Sequence, residues 1–269
     1  MTCLISRTIF ARPKRAFADR GRAFITFISK PSALLACLLV FSFILATHAL
    51  AQKRKRRAPT QGGRVGVVVD ERLAALRDAP DLSANLLGRL GRGRSVALTG
   101  AGSTREGVTF YRVAVTRRTG GWLQSDAVAV ASRAREDERL LRLIRGSTDF
   151  DRLARAQIFL DMFPRSRLRP AVLLLLGDAA EEAARRLSRE AERRLDEREM
   201  VAGGAPVASY YLNYSGLDRY RKQGVGFVFD AATKQFHYDG AAWREVARRY
   251  PRSPEADEAR ARLEARAAR

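Results

Sequence analysis

Near residue 131 the spacing of apolar residues changes, and this change constrains the chain more than any other feature. From Arg64 to Val130 the apolar residues come in short β-branched runs, "VGVVVD", "SVALTG", "TFYRVAV" and "GWLQSDAVAV". Between the runs lie turn-forming stretches, "DAPDLSAN", "GRGR", "GAGSTREG" and "RRTGG". In the third run Phe110, Arg112 and Ala114 alternate with Tyr111, Val113 and Val115, the two-residue period of a strand with two different faces. About 65 residues with few long strands suit a small barrel better than a sandwich.

Beyond Ser132 the period becomes helical. Ser132 is a candidate N-cap for "RAREDERLLRLIRG", with Leu140, Leu143 and Ile144 on one face and Gly146 as the stop. Leu153, Ala156, Phe159, Leu160 and Phe163 then share a helix face that Pro164 terminates. Pro170 suits the first turn of a helix predicted to run to about Met200, with an i+4 stripe of Leu175, Ala179, Ala183, Leu187, Ala191 and Leu195. Glu181 with Arg185, Glu182 with Arg186 and Glu190 with Arg194 are spaced for exposed pairs, which read as a solvated face. Residues 202–240 fit either a hairpin or a helix with irregular entry, and two further helices, "GAAWREVARRYP" and "SPEADEARARLEARAAR", complete the region 132–269.

Ahead of both regions, residues 33–50 carry no charge, which is short for a membrane span and long for a signal core. A basic stretch before the core, the Ala49-Leu50-Ala51 site and Gln52 after it fit a signal peptide over 1–51, cleaved after Ala51. The long leader and the cluster Lys53-Arg54-Lys55-Arg56-Arg57 fit an uncleaved inner-membrane anchor over 33–51 instead. A lipoprotein reading at Cys37 is weaker, since that cysteine begins the apolar run rather than ending it. Each version hands the chain to export and places its working part in the periplasm or cell envelope. Residues 52–63 read as a basic linker, either a solvated tether or a contact for anionic lipid or wall polymer.

Composition removes several chemistries. The two cysteines, Cys3 and Cys37, precede the cleavage site, and His48 and His237 are the only histidines, so disulfides and histidine-based zinc centres drop out of the mature chain. No cofactor is expected. The glycines of "GRLGRGRS" sit in a turn with arginine between them rather than in a phosphate loop, and no G-x-S-x-G elbow accompanies His237. The net charge of +21 attracts anionic polymers, yet lysine stands only at 14, 30, 53, 55, 222 and 234, so part of the arginine excess reflects codon usage. Without a nucleic-acid-binding signature, and with export, nucleic acid is not expected as a partner. The expectation is a protein that is not an enzyme; the alternative is an accessory or catalytic component of a peptidoglycan-remodelling system, using acidic residues that meet only in the fold.

Two resemblances sharpen this. Leu76-Arg77 with Pro80, then Leu90, Gly93 and Val96, then Tyr111 and Val113, then Gly121-Trp122 resemble the motifs of bacterial SH3-like domains. The resemblance covers about a quarter of the chain and implies an SH3-like β-barrel over 64–130 that binds a cell-wall peptide or an envelope-protein segment. Tyr111, Trp122 and Arg77 are the expected ligand-binding residues, with Trp122 as plain barrel core the competing reading. Second, Phe163-Pro164-Arg165-Ser166 recurs as Tyr250-Pro251-Arg252-Ser253, 87 residues on. An aromatic that ends one helix, a proline that breaks it, a serine that caps the next and an alanine (Ala171, Ala256) that allows close approach resemble tetratricopeptide-type hairpins. Those repeats recur near 34 residues, so at least one unit here is degenerate or inserted. The implied whole is all-β followed by all-α, an exported adaptor whose helices dock a second partner.

Overall fold

Alternation along the first and last strands of the β-region sends successive residues into two different cores. The computed structural model describes residues 64–267. In it β1 Arg64–Val68, β2 Ala75–Arg77, β3 Leu86–Arg89, β4 Ser95–Leu98, β5 Ser103–Arg105, β6 Val108–Ala114, β7 Gly120–Gln124 and β8 Val128–Val130 form one antiparallel sheet. Its order is β3-β2-β7-β6-β4-β1-β8, with β5 added to β6. Val68, Leu76, Val96, Val113, Leu123, Val128 and Val130 fill the core of this β-region, whereas Val69 and Ala129 face the other way and join the core of the helices. All three residues of β8 are therefore buried, since the strand is covered on both faces. The chain is thus an antiparallel β-region followed by helices, and the two meet along β1 and β8.

Helices α1 Glu136–Arg145, α2 Asp149–Met162 and α3 Arg169–Glu192 follow. Helix α1 begins four residues beyond Ser132, because turn hydrogen bonds from Arg133 N to Val130 O and from Glu136 N to Arg133 O occupy that stretch first. Pro170 lies in the first turn of α3, as its missing N–H allows. The predicted helix to Met200 is two: α3 stops at Glu192 and α4 Glu197–Gly203 restarts, capped by Asp196, whose side chain accepts from Arg198 N at 2.8 Å. Residues 202–240 contain both predicted alternatives, helices α5 Val207–Ser215 and α6 Asp218–Arg221 and then a hairpin of β9 Phe227–Asp230 with β10 Gln235–Tyr238. Helices α7 Ala241–Arg249 and α8 Glu255–Ala267 close the described chain. No helix among the described residues is long and apolar enough to cross a membrane.

Helix α3 is the axis of the helical region. Val172, Leu173, Leu176, Ala179, Ala180, Ala183, Ala184, Leu187 and Ala191 are all buried, a face wider than the predicted stripe because neighbours cover more than one side. The predicted exposed pairs are rearranged accordingly. Glu181 does lie 3.5 Å from Arg185, but it is buried, accepts from Tyr238 N at 2.8 Å and faces His237 Nδ1 at 3.1 Å. Ser188 Oγ accepts from Phe236 N at 2.8 Å. These two polar side chains satisfy the β10 N–H groups that point away from β9 and would otherwise be buried without partners. Arg186 bonds Glu190 and Asp149 rather than Glu182, and Glu182 lies 4.0 Å from Arg152.

The recurring aromatic-Pro-Arg-Ser frame has one backbone geometry in both places. Phe163 N bonds Phe159 O and Tyr250 N bonds Val246 O; Ser166 N and Ser253 N return to the carbonyls of Phe163 and Tyr250; and the carbonyls of Ser166 and Ser253 accept from Arg169 N and Ala256 N. The expected serine side-chain caps are not formed. Neither helix is capped by the hydroxyl of its serine: Ser166 Oγ donates to Asp137 and accepts from Leu168 N, and Ser253 Oγ is buried without a partner. Ala256 is fully buried against the helical core while Ala171 is only partly so.

At the junction, Arg155 of α2 reaches back to the β-region. Its guanidinium donates to Val69 O at 3.0 Å, to Asp70 Oδ2 at 3.0 Å and to Ser147 Oγ. Burial by itself would raise the Asp70 carboxyl, but hydrogen bonds from the Arg72 side chain and backbone, with the charge of Arg155, hold it below its ordinary value of 3.8. A depressed folded-state value means that Asp70 contributes its full stabilisation above the unfolded-state value and loses it as pH falls through the folded one. The urea midpoint, followed from about pH 6 to about pH 2, should fall with acid, and the Asp70→Asn variant should show a shallower fall over the same range.

Candidate functional site

Strand register decides which of the expected ligand residues act together. Across β2, β7 and β6, Arg77 pairs with Trp122 and Trp122 with Arg112, so the three stand in a row on one face. Tyr111 is opposite Leu123, which is wholly buried, and it packs on the β-region core with Leu90. Tyr111 and Trp122, both expected as ligand-binding residues, therefore stand on different faces: neighbouring positions on paired strands alternate, so Tyr111 belongs to the inner side and Trp122 to the outer.

Gly121 explains why Trp122 sits where it does. A Cβ on Gly121 would come within 2.5 Å of Arg77 O, so only glycine lets β7 approach β2 this closely. Arg77 is then used mostly from within. Its Nη1 donates to Ala84 O at 2.7 Å, bracing the β2–β3 connection, and its Nε is buried without a partner.

Beside Trp122 lies an open groove of about 690 Å³, walled by Leu87, Arg112 and the β6–β7 hairpin with Arg117 and Arg118. Thr116 shapes that hairpin: its hydroxyl accepts from Arg118 N at 3.2 Å and Thr119 N at 3.0 Å, while Val115 N bonds Thr119 O. The two arginine side chains take no part in this and are exposed. Asp78 is the one carboxylate lining the groove, and it accepts from Asn85 Nδ2 at 2.9 Å. "RRTGG" reads in sequence only as a turn, so Arg112, Arg117, Arg118 and Leu87 were not expected at the site. Their signal, a basic hairpin tip one strand from a Gly-Trp pair, needs the register to be seen.

A second cavity of about 240 Å³ lies between α3, α7 and α8, lined by Asp178, Glu181, Arg185, Trp243, Arg262 and Arg266. Its charged groups largely satisfy one another: Arg262 grips Asp178 at 3.2 and 3.3 Å, and Glu181 is bound to β10. Among the described residues no three His, Cys, Asp or Glu side chains converge as a metal site would require. The cleavage positions Ala49, Ala51 and Gln52, the anchor 33–51 and the basic linker 52–63 lie outside the described residues. No family model, curated protein or solved structure matches the chain.

Proposed function

We infer that this chain is a non-catalytic binding protein of the cell envelope, an adaptor whose β-region takes a cell-wall peptide or protein segment in the Trp122 groove and whose helices dock a second partner. The observation that carries this is the row Arg77–Trp122–Arg112 beside an open groove. A half-buried indole on the outer face, held by the neighbouring glycine, is the kind of flat amphipathic anchor on which recognition surfaces concentrate their energy. The reading as an SH3-like barrel draws on the motif positions: Gly121 admits close strand approach, and Leu76, Val96 and Val113 fill the core. The tetratricopeptide-like reading draws on the two helix turns with matching hydrogen bonds. Export by residues 33–51 supplies the compartment, and the basic linker supplies a contact for anionic polymer.

The experiment is co-sedimentation of the full-length chain with isolated peptidoglycan, at low salt and again at about 0.5 M, where screening shortens to a few ångströms. Retention at high salt, reduced about tenfold or more by Trp122→Ala with the urea midpoint nearly unchanged, is the expected result. Retention equal in wild type and Trp122→Ala would remove the groove from wall binding. Complete loss at high salt would leave charge as the whole wall interaction.

A further inference from the structure

The groove is asymmetric in what it offers. Arg112, Arg117 and Arg118 line it and have no ion-pair partner among the described residues. Against them stands Asp78, already engaged by Asn85. Besides the buried Val113 and Ala114, its apolar residues are Trp122 and Leu87, and Leu87 is 53% exposed. Leu87 belongs to β3 and Trp122 to β7, with β2 between them in the sheet.

Resting on the reading of this groove as a binding site, we propose that its occupant is an extended, acidic peptide segment of a partner protein. The segment lies across the outer face of the sheet, lays an apolar side chain between Leu87 and Trp122, and directs carboxylates to Arg112, Arg117 and Arg118. Charge complementarity selects an acidic ligand, because three arginines against one carboxylate line the groove and would repel a basic one. Trp122 and the exposed Leu87 beside the arginines fit a peptide in which apolar and carboxylate side chains alternate, rather than a phosphodiester chain with a charge on every unit.

The test titrates full-length protein with acetylated decapeptides that alternate Val with Glu, Ser or Lys, reading the emission change that Trp122→Phe removes. Trp243, the other tryptophan, is 3% exposed and supplies the constant background. The Val-Glu peptide is expected to bind at least about tenfold more tightly than the Val-Ser peptide. Arg117→Ser with Arg118→Ser should erase most of that margin, and 0.5 M salt should shrink it too. These substitutions leave the Thr116 hydrogen bonds that shape the hairpin. Replacing the valines of the Val-Glu peptide by serine should weaken binding about tenfold, which separates the apolar contact from plain charge attraction. Equal binding of the Val-Glu and Val-Ser peptides would overturn the acidic specificity while leaving the groove a binding site. No Trp122 response to any peptide would overturn both readings. An oligothymidylate that binds as tightly as the Val-Glu peptide would make the surface a polyanion site and sink the peptide assignment.

Discussion

Replacing Gly177 by leucine is expected to be among the most damaging single changes in the helical region, although glycine is a poor helix former and the residue lies in the middle of a 24-residue helix. The indole of Trp243 occupies the space where a side chain would go. A Cβ at 177 would sit 2.3 Å from Trp243 Nε1 and 2.7 Å from Cδ1, inside any tolerable contact. Trp243 cannot swing away, since it is 3% exposed and set edge-on to the Tyr238 ring at 5.3 Å. Tyr238 is itself fixed, its hydroxyl accepting from Ala242 N at 2.7 Å. Even Gly177→Ala, which would gain about 1 kcal/mol from helix propensity on an open surface, should instead destabilise by about 1–3 kcal/mol. Leucine should cost more. The measurement is urea unfolding of the two variants alone and in a Trp243→Ala background. There the alanine penalty should disappear, giving a coupling of about 1–3 kcal/mol between the two sites. A Gly177→Ala protein more stable than wild type would show that the indole is not confined as described.

The second large effect is expected at Arg155. Its side chain is almost wholly buried and ties α2 to the end of the β-region through Val69 O and Asp70, with Ser147 holding the guanidinium from α1's side. Arg155→Ala would strip one partner from the Asp70 carboxylate and leave the Val69 carbonyl and Ser147 hydroxyl short of a donor. Breaking a buried pair in this way costs about 3–5 kcal/mol. The lower end applies, because Arg72 still bonds Asp70 through its backbone N–H and its guanidinium. The reciprocal replacement of both partners, Arg155→Met with Asp70→Ala, should cost less than the single change, since no buried charge is left unpaired and Arg72, which loses Asp70, is exposed to water. Hydrogen exchange would locate the effect: amides of β8 and α2 should lose protection together in Arg155→Ala while those of α7 and α8 keep theirs. Uniform loss across the chain would instead make the β-region and helices one cooperative unit.

How far the sequence was legible depends on the distance over which each choice was made. The division into β and α was visible because hydrophobic period is a local property, and the strands and turns between Arg64 and Val130 fall close to where their β-branched runs and glycines lie. The two aromatic-Pro-Arg-Ser turns were visible for the same reason, since proline and the preceding helix settle the backbone within a few residues. The break after Glu192 was harder to see. The alanine and leucine stripe continues through it to Leu195, and the Asp196 side chain competing for a backbone N–H is a weak signal against that periodicity.

The site required more. Alternation along β6 already separated Tyr111 from Arg112, but which of them joins Trp122 depends on strand register, set by the Thr116 hairpin, and a slip of one residue would reverse the answer. Glu181 looked like half of an exposed pair because Arg185 is four residues away. Its second role appears only when β10, 57 residues on, lays its Tyr238 N–H against it. Asp70 and Arg155 are 85 residues apart, and neither has a local pattern that points to the other. What the sequence by itself determined was the class of each segment, because propensity, turn chemistry and apolar period act within one or two turns of chain. Only the tertiary structure decided the faces, the buried polar partners and the groove, because those depend on which distant backbone arrives to bury or satisfy a given side chain.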